Sequence, residues 1–336
     1  MDKVLCFGEL LLRYSPKLNK EWINSHQMPV FIGGAELNVA SALAKWKTSV
    51  GYCTVLPDHY LSKEIIEEVE ERGIETQSIL FSGTRIGSYY LPEDADLKHA
   101  SVIYDRDHSS FSELKTGMLD WEKILNGVSW FHFSAISPAL NENVAMVCKE
   151  GLEVATRLGI TISVDLNYRA KLWQYGKQPI QVMPSLVEYC TIVMGNIWAK
   201  EKMLGMKIPE NLQEHQQSYL DQSLRSSEEL VRQFPKCKQV ANTFRFDQEK
   251  GIKYYATLFS NNKLVQSKEF ETSFIIDKVG SGDTFMAGLI YGNQKKCSDQ
   301  EIIDFASAAA FNKLFIKGDA TSTSVEDIIT HTNSYA

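Results

Sequence analysis

The sequence lacks the features of several protein classes. It has no apolar run long enough to span a bilayer, so no transmembrane helix is expected. Residues 1–10 lack the charged region and long apolar stretch of a secretory signal. The six cysteines are scattered without a CxxC pair, which argues against a disulfide framework and a zinc site. These absences predict a cytoplasmic protein.

Positive charge is also scarce. The 35 Lys and Arg residues are outnumbered by 42 Asp and Glu residues, which gives a net charge of −7. Such a balance argues against a nucleic-acid surface, which needs clustered cations, but a few arginines can still recognise one small anion. No GxxxxGK[ST], HExxH or GxSxG motif occurs, and the seven histidines show no metal-ligand spacing.

What the sequence does contain is an alternation of apolar runs and helical patterns. The runs predict strands at 4–7, 50–56, 130–133, 161–164, 191–194 and 239–242. The helical patterns predict helices at 36–46, 61–72, 143–158, 283–291 and 300–315. Continuous apolar strands between helices favour a mostly parallel sheet with helices on both faces, in a three-layer α/β/α arrangement. We expect one domain over residues 1–336.

Three segments break this alternation. Segments 11–32 and 85–107 are strand-like, polar and aromatic, without a helix between their strands. They predict a small antiparallel flap, or lid, in which 85–91 pairs with 99–104; an ordinary surface excursion is the alternative. Segment 207–227 is rich in Gln and Ser and predicts a solvated helix and loop.

The strongest local motif is DKVGSGD at 277–283. Gly280, Ser281 and Gly282 precede an apolar helical run, so their backbone amides and the helix N-terminus can form an anion site. Asp283 stands at the mouth of that site, where a carboxylate can take a proton from a substrate hydroxyl beside a transferring phosphoryl group. The alternative is an ordinary N-cap aspartate after a glycine turn.

A second motif, GGAELN, starts at Gly33. Gly33 and Gly34 allow a ligand to approach the backbone closely, and Asn38 can both donate and accept hydrogen bonds there. Alone this motif is weak evidence for a ligand site, since glycine turns before helices are common.

A third motif, SVDLNYR, follows the predicted strand at 161–164. Open α/β sheets bind ligands at the carboxyl ends of their strands. Arg169 could form a bidentate pair with a carboxylate or phosphate. The alternative is a structural salt bridge between Arg169 and Asp165.

The predicted flap carries a fourth group of side chains. Tyr104 and Arg106 lie on one strand and Tyr89 on the facing strand. These side chains could close over a polar, acidic substrate and exclude water, or they could form a solvated edge strand with aromatic cross-strand pairs.

The order of these motifs resembles the ribokinase-like, or PfkB-type, carbohydrate kinases, from about residue 4 to about residue 327. Segment 33–38 is similar to their N-terminal signature, and 277–283 to their C-terminal DTxGAGD, with Lys278 and Ser281 at the two differing positions. The resemblance implies a ribokinase-like fold. It also implies that Asp283 is the catalytic base and that Gly280, Ser281 and Gly282 form the anion hole.

Within that family the sequence is most similar to 2-keto-3-deoxygluconate kinases. Segment 8–13, the DxNxRxxLW stretch at 165–173 and the Tyr-x-Arg at 104–106 carry this likeness. It implies a sugar-acid acceptor whose carboxylate is held by two arginines. The implied substrate-binding residues are Glu9, Gly33, Gly34, Asn38, Tyr89, Tyr104, Arg106 and Arg169. A kinase of a neutral sugar such as fructose or ribose, and a catalytically weak sugar-binding homologue, are the alternatives.

The resemblance also implies ATP and Mg²⁺, with a monovalent cation as a further candidate. Asn196 and Gly318 are the implied nucleotide-side residues. Two family features are missing: Ala199 stands where an Asn-x-x-Glu motif has glutamate, and Asn242–Arg245 replaces a Gly-x-x-Gly. The metal ligands therefore stay unassigned. Partners are expected to be the sugar acid, ATP and further copies of the chain joined through the lid, but neither nucleic acid nor membrane.

Overall fold

The computed structural model describes residues 3–93, 102–213, 215–248 and 251–334. The strands are β1 (Lys3–Phe7), β2 (Leu11–Tyr14), β3 (Val30–Gly33), β4 (Val50–Leu56), β5 (Ile79–Phe81), β6 (Gly87–Tyr90), β7 (Ile103–Asp105), β8 (Val128–Ser134), β9 (Thr161–Asp165), β10 (Ile192–Met194), β11 (Gln239–Gln248), β12 (Gly251–Ser260), β13 (Lys263–Gln266) and β14 (Phe270–Thr272). The helices are α1 (Glu21–Ser25), α2 (Ala35–Lys45), α3 (Tyr60–Glu71), α4 (Trp121–Ile124), α5 (Glu142–Arg157), α6 (Pro179–Val182), α7 (Pro184–Val187), α8 (Ile197–Leu204), α9 (Gln216–Gln233), α10 (Ser281–Gln294), α11 (Asp299–Lys313) and α12 (Val325–Ser334).

A ten-stranded main sheet forms the centre of the molecule. Its order is β13-β12-β11-β10-β9-β8-β1-β4-β5, with β14 paired to β12. From β11 to β5 all neighbours are parallel, whereas β12, β13 and β14 join by antiparallel pairing. The predicted mostly parallel α/β sheet is confirmed.

Helices cover both faces of this sheet because its parallel strands are apolar on both sides. In β1, Leu5 and Phe7 join one buried cluster, which includes α5 residues such as Leu152. Val4 and Cys6 point the other way, into a second cluster formed with α2, α3, α10 and α11. Successive side chains of a strand alternate between faces, so a continuous apolar run feeds two cores. The result is the expected three-layer arrangement.

The flap is a separate small sheet of order β3-β2-β6-β7. The expected antiparallel pairing holds for β2 with β3 and for β6 with β7, but β2 and β6 are parallel. The expectation of no helix in this region was also wrong, since α1 lies between β2 and β3. Part of the predicted hairpin, residues 94–101, lies outside the described residues.

The expectation that 207–227 is solvated was wrong for α9. Its serines at 223, 226 and 227 are buried, and Ser223 Oγ lies 2.7 Å from both Thr257 Oγ1 and Asn242 Nδ2. A polar helix face can be buried when its hydroxyls find partners there. Strands β11 and β12 supply those partners.

Candidate active site

A cavity of about 420 Å³ opens where the carboxyl ends of the central strands meet the small sheet and the first turns of α2 and α10. Eleven of the predicted site residues line it: Glu9, Gly34, Asn38, Tyr89, Tyr104, Arg106, Arg169, Asn196, Gly280, Gly282 and Asp283. Motifs far apart in sequence therefore meet at one place, at the strand ends where α/β sheets bind ligands.

The turn before α10 is built as an anion site. Gly280 caps the helix with φ 79°, and a Cβ there would lie 1.9 Å from the carbonyl oxygen of Asp319, so only glycine fits. In the described part of the chain, no protein acceptor takes the backbone amides of residues 280–283. Free amides at the positive end of a helix dipole attract a phosphate group.

Asp283 lies in the first turn of α10 and is almost completely buried. Its Oδ2 accepts a 2.7 Å hydrogen bond from Asn38 Nδ2. Burial raises the pKa of Asp283 to about 8; the bond from Asn38 opposes this rise, and the charges of Asp165 and Glu36 add to it. The carboxyl group can therefore exchange a proton near neutral pH.

Asp165 ends strand β9, Arg169 follows it, and both line the same cavity. Burial raises the pKa of Asp165 to about 6, while the backbone amide of Asn167 and the charge of Arg169 lower it. The considered salt bridge is not formed: among the described residues, Arg169 has no carboxylate within 4.0 Å, and its Nη1 donates to the Tyr168 carbonyl at 3.3 Å. Its guanidinium thus remains available to an anionic ligand.

Arg106 differs from Arg169. Its Nε donates to Glu9 Oε2 at 2.6 Å, its Nη2 lies 2.5 Å from the same oxygen, and Ser109 Oγ donates to Glu9 Oε1. Both members of the ion pair are buried at the cavity wall. The two residues were expected to contact substrate separately, but here each already has a charged partner.

The two tyrosines of the small sheet stand opposite one another. Tyr89 and Tyr104 are register partners on β6 and β7, with ring centroids 6.3 Å apart. Both line the cavity, and the hydroxyl of Tyr89 donates to Asp319 Oδ2 at 3.2 Å. The rings form the wall, while the Tyr89 hydroxyl is committed to the protein.

Three predicted residues do not line the cavity. Gly33 packs on Asp319, since a Cβ there would lie 2.2 Å from its Oδ2. Ser281 turns its Oγ to the Ala310 carbonyl at 2.9 Å, so only its backbone can serve the anion site. The amide of Gly318 donates to Asp277 Oδ2 at 3.1 Å.

The cavity also contains cations that the motifs do not reveal, namely Lys202, Arg245 and Lys278. Lys202 and Arg245 come from α8 and β11, at the end of the strand order away from β1, β4 and β5. Lys278 is one of the two residues that depart from the signature at 277–283, and that departure was the available signal. On the same side, Asn196 caps α8 by accepting from the Ala199 amide at 2.8 Å.

Comparison with known proteins agrees with this geometry. The family model described as pfkB family carbohydrate kinase matches residues 1–325. The chain belongs to the pfkB family of carbohydrate kinases. The predicted family resemblance is thereby confirmed.

Individual kinases are also similar to this chain. A solved structure from Thermotoga maritima, described as 2-dehydro-3-deoxygluconokinase, is 35% identical with a TM-score of 0.89, and the match covers 99% of this chain and 100% of that one. A 2-dehydro-3-deoxygalactonokinase from Haloferax volcanii is 31% identical over 51% of this chain, and the match spans only 54% of that relative. A 2-dehydro-3-deoxygluconokinase from Bacillus subtilis is 22% identical over 93% of this chain and 90% of that relative.

The described residues contain no group of three or more His, Cys, Asp or Glu side chains arranged to hold a metal ion. They also contain no helix with the length and apolar character to cross a membrane.

Proposed function

We propose that the protein transfers the γ-phosphoryl group of ATP to a hydroxyl group of a sugar acid, and that the acceptor is 2-keto-3-deoxygluconate. One observation carries the proposal: the Asp283 carboxyl group lies in the cavity beside backbone amides that no described acceptor occupies. A proton acceptor next to an anion site is the pair of groups that phosphoryl transfer to a hydroxyl requires.

In this reaction Asp283 takes the proton of the attacking hydroxyl. Asn38 fixes the carboxylate by its 2.7 Å hydrogen bond, so that one oxygen remains directed toward the acceptor. A pKa of about 8 matches the task, because a base near the working pH combines sufficient basicity with a sizeable unprotonated fraction.

The amides of residues 280–283 stabilise the charge on the transferring phosphoryl group. They are fixed by the helix before the reaction begins, so no reorganisation is needed as charge develops. We assign Lys202, Arg245 and Lys278 to the remaining phosphates of ATP, since all three line the cavity. Lys202 and Arg245 lie on α8 and β11, and Lys278 pairs with Asp247 of β11 at 3.1 Å.

Mg²⁺ fits this site only when it is bound together with the nucleotide. When bound it would neutralise phosphate charge. Asp165 lines the cavity and is the residue that we assign to face the ion, whereas the Oδ1 of Asn196 is already used by the Ala199 amide. The monovalent cation stays a candidate cofactor without an assigned residue.

The preference for an acidic sugar rests on Arg169. Its guanidinium lines the cavity and has no carboxylate partner in the described part of the chain. A planar guanidinium pairs well with a substrate carboxylate. Arg106 is compensated by Glu9, so it supports this wall of the site and leaves Arg169 as the principal anion-binding group.

The test is ADP release against 2-keto-3-deoxygluconate, other sugar acids, fructose and ribose. We expect the sugar acid to turn over fastest and Asp283→Asn to lose activity by about 10²- to 10⁴-fold, the usual contribution of a general base. Asp58→Asn, which changes an exposed carboxylate, is the matched control. Turnover that survives Asp283→Asn unchanged would exclude the assigned base.

A second variant separates acidic from neutral acceptors. Arg169→Met should raise KM for the sugar acid by about 10- to 100-fold, the value of a charged hydrogen bond, and leave a neutral sugar almost unaffected. Arg157→Met, which removes an exposed arginine paired with Glu122, is the control. Fastest turnover of a neutral sugar would favour the alternative kinase, and sugar binding without ADP release would favour a weak homologue.

A further inference from the structure

A buried charge network joins the small sheet to the anion-binding turn, and Arg13 is its centre. Arg13 lies on β2, with its Nη2 2.9 Å from Asp277 Oδ2 and its Nε 2.8 Å from Asp319 Oδ1. Its guanidinium also stacks 4.3 Å from the centre of the Phe31 ring on β3. Arg13 ends segment 8–13, one of the segments that carry the family likeness, but the sequence assigned it no role.

Both aspartates contact the turn, Asp277 through its carboxylate and Asp319 through its backbone. Asp277 Oδ1 accepts the amide of Val279 at 2.9 Å, and its Oδ2 accepts the amide of Gly318 at 3.1 Å. The backbone carbonyl of Asp319 lies directly against Gly280, the N-cap of α10. The position of the free amides therefore depends on where these two residues are held.

Two neighbouring strands of the small sheet supply the side chains that bind these carboxylates. Arg13 on β2 and Tyr89 on β6 are register partners, and both bind Asp319. Burial would lower the pKa of Arg13, but the charges of Asp319 and Asp277 outweigh it and raise the pKa, so the guanidinium stays charged. A charged fork fixed by an aromatic ring can hold two carboxylates in one geometry.

We propose that Arg13 is a positioning residue of the phosphoryl transfer: it couples the small sheet that covers the acceptor to the turn that holds the migrating phosphate. The inference rests on the proposed function for its catalytic consequence. It requires that loss of the guanidinium displaces the turn without removing any group that touches either substrate. A displacement of about 1 Å in such a site costs about 10²-fold in rate.

The experiment compares the full chain with Arg13→Ala. We expect kcat to fall about 10²-fold with KM for the sugar changed less than about threefold, because the acceptor contacts remain. Millimolar guanidinium chloride should restore part of kcat in Arg13→Ala and leave the unmodified protein unchanged. Hydrogen exchange of the backbone amides of Val279 and Gly318, which donate to Asp277, should rise at least tenfold when it is followed by mass spectrometry without nucleotide.

Arg85→Ala is the matched control. Arg85 also belongs to the flap region and pairs with an aspartate, Asp105, at 2.6 Å. This pair is exposed, however, and it is not part of the buried network around Arg13. We expect this variant to keep both kcat and the exchange rates of the Val279 and Gly318 amides. If Arg13→Ala does not fold, Arg13→Lys replaces it, since an ammonium keeps the charge but cannot hold both carboxylates at once.

The outcomes separate this inference from the proposed function. If the unmodified protein turns over a sugar, unchanged kcat or unchanged exchange of the Val279 and Gly318 amides in the Arg13 variant overturns the coupling. If the unmodified protein phosphorylates no sugar, the proposed function fails, and the exchange measurement alone decides whether Arg13 holds the turn.

Discussion

Asn38 and Asp283 meet across the cavity although they are 245 residues apart, with Asn38 Nδ2 2.7 Å from Asp283 Oδ2. Asn38 lies on α2 and Asp283 in the first turn of α10, so the bond ties together the two helices that carry the two family signatures. It stabilises the charged carboxylate, while burial destabilises it. The balance between these two effects sets the pH at which the proposed base works.

The pH dependence of the reaction follows from that balance. With a pKa of about 8, Asp283 holds its proton below this pH and cannot accept another from the substrate. We expect kcat/KM to fall about tenfold per pH unit below pH 8 and to level off above it. Initial rates between about pH 6 and 10 measure this. A profile that is flat across this range would show that Asp283 is not the titrating base.

Removing Asn38 should move the same profile. Asn38→Ala deletes a hydrogen bond to the charged carboxylate, so the pKa of Asp283 should rise further and the limb should shift by about one to two pH units to higher pH. The shift is read from kcat/KM profiles of both proteins. Asn126→Ala, which changes an exposed amide, is the control. A profile that stays in place would mean that the Asn38 contact does not act on the base.

The buried pair of Arg106 and Glu9 gives a prediction about stability. Arg106→Met leaves the Glu9 carboxylate buried without its cation, which should lower the free energy of unfolding by about 3–5 kcal/mol. The double variant Glu9→Gln/Arg106→Met should lose less, because no lone charge remains. Urea denaturation measures both. Arg157→Met breaks an exposed pair and should cost less than about 1 kcal/mol; an equal loss in Arg106→Met would refute the prediction.

Lys200 provides a further test, through the pH dependence of stability. It is fully buried on α8, where its Nζ donates to Ser226 Oγ at 2.8 Å, and burial lowers its pKa to about 7 from 10.5. Between these two values the unfolded chain binds the proton and the folded protein does not, so stability from this group rises with pH. Below pH 7 the folded protein carries a buried charge.

We therefore expect Lys200→Met to be more stable than the unmodified protein at pH 6, by a margin that shrinks as the pH rises toward 10. Urea denaturation of both proteins at several pH values measures the difference, in which the contributions of other groups cancel. Lys149→Met, which removes a partly exposed lysine near Glu153, should show no such trend. A margin that stays constant with pH would contradict the prediction.

Much of this fold could be predicted because its strands are apolar on both sides. Runs such as 50–56 can only be buried in a sheet covered on both faces, and the observed β4 has the predicted bounds. The predicted strand at 239–242 extends to Gln248 as β11, which pairs with β12 along its whole length. No strand was predicted at 251–260, because this antiparallel part mixes polar and apolar residues without a clear period.

Site residues could be predicted where a motif fixes the backbone geometry. The contacts that side chains make with distant segments could not. The glycine turn at 280 was predicted because its segment has a fixed conformation. The contact of Asn38 with Asp283 was not predicted, although both residues belong to recognised motifs. The pairing of Arg106 with Glu9 was not predicted either, because it depends on how the small sheet sits over the end of β1. The same is true of Arg13, whose two carboxylates come from segments more than 250 residues away.

The parallel contact between β2 and β6 has a consequence for the order of folding. It pairs Leu11 with Gly87. In the chain, β1 of the main sheet comes just before Leu11, and β4 and β5 lie between the two paired residues. Because a contact between distant segments forms only after the loop between them has been closed, the cover over the cavity should assemble late, on a finished core. A small sheet that forms late and opens easily, above a main sheet that is already folded, would let small molecules enter and leave the cavity without unfolding the rest of the chain.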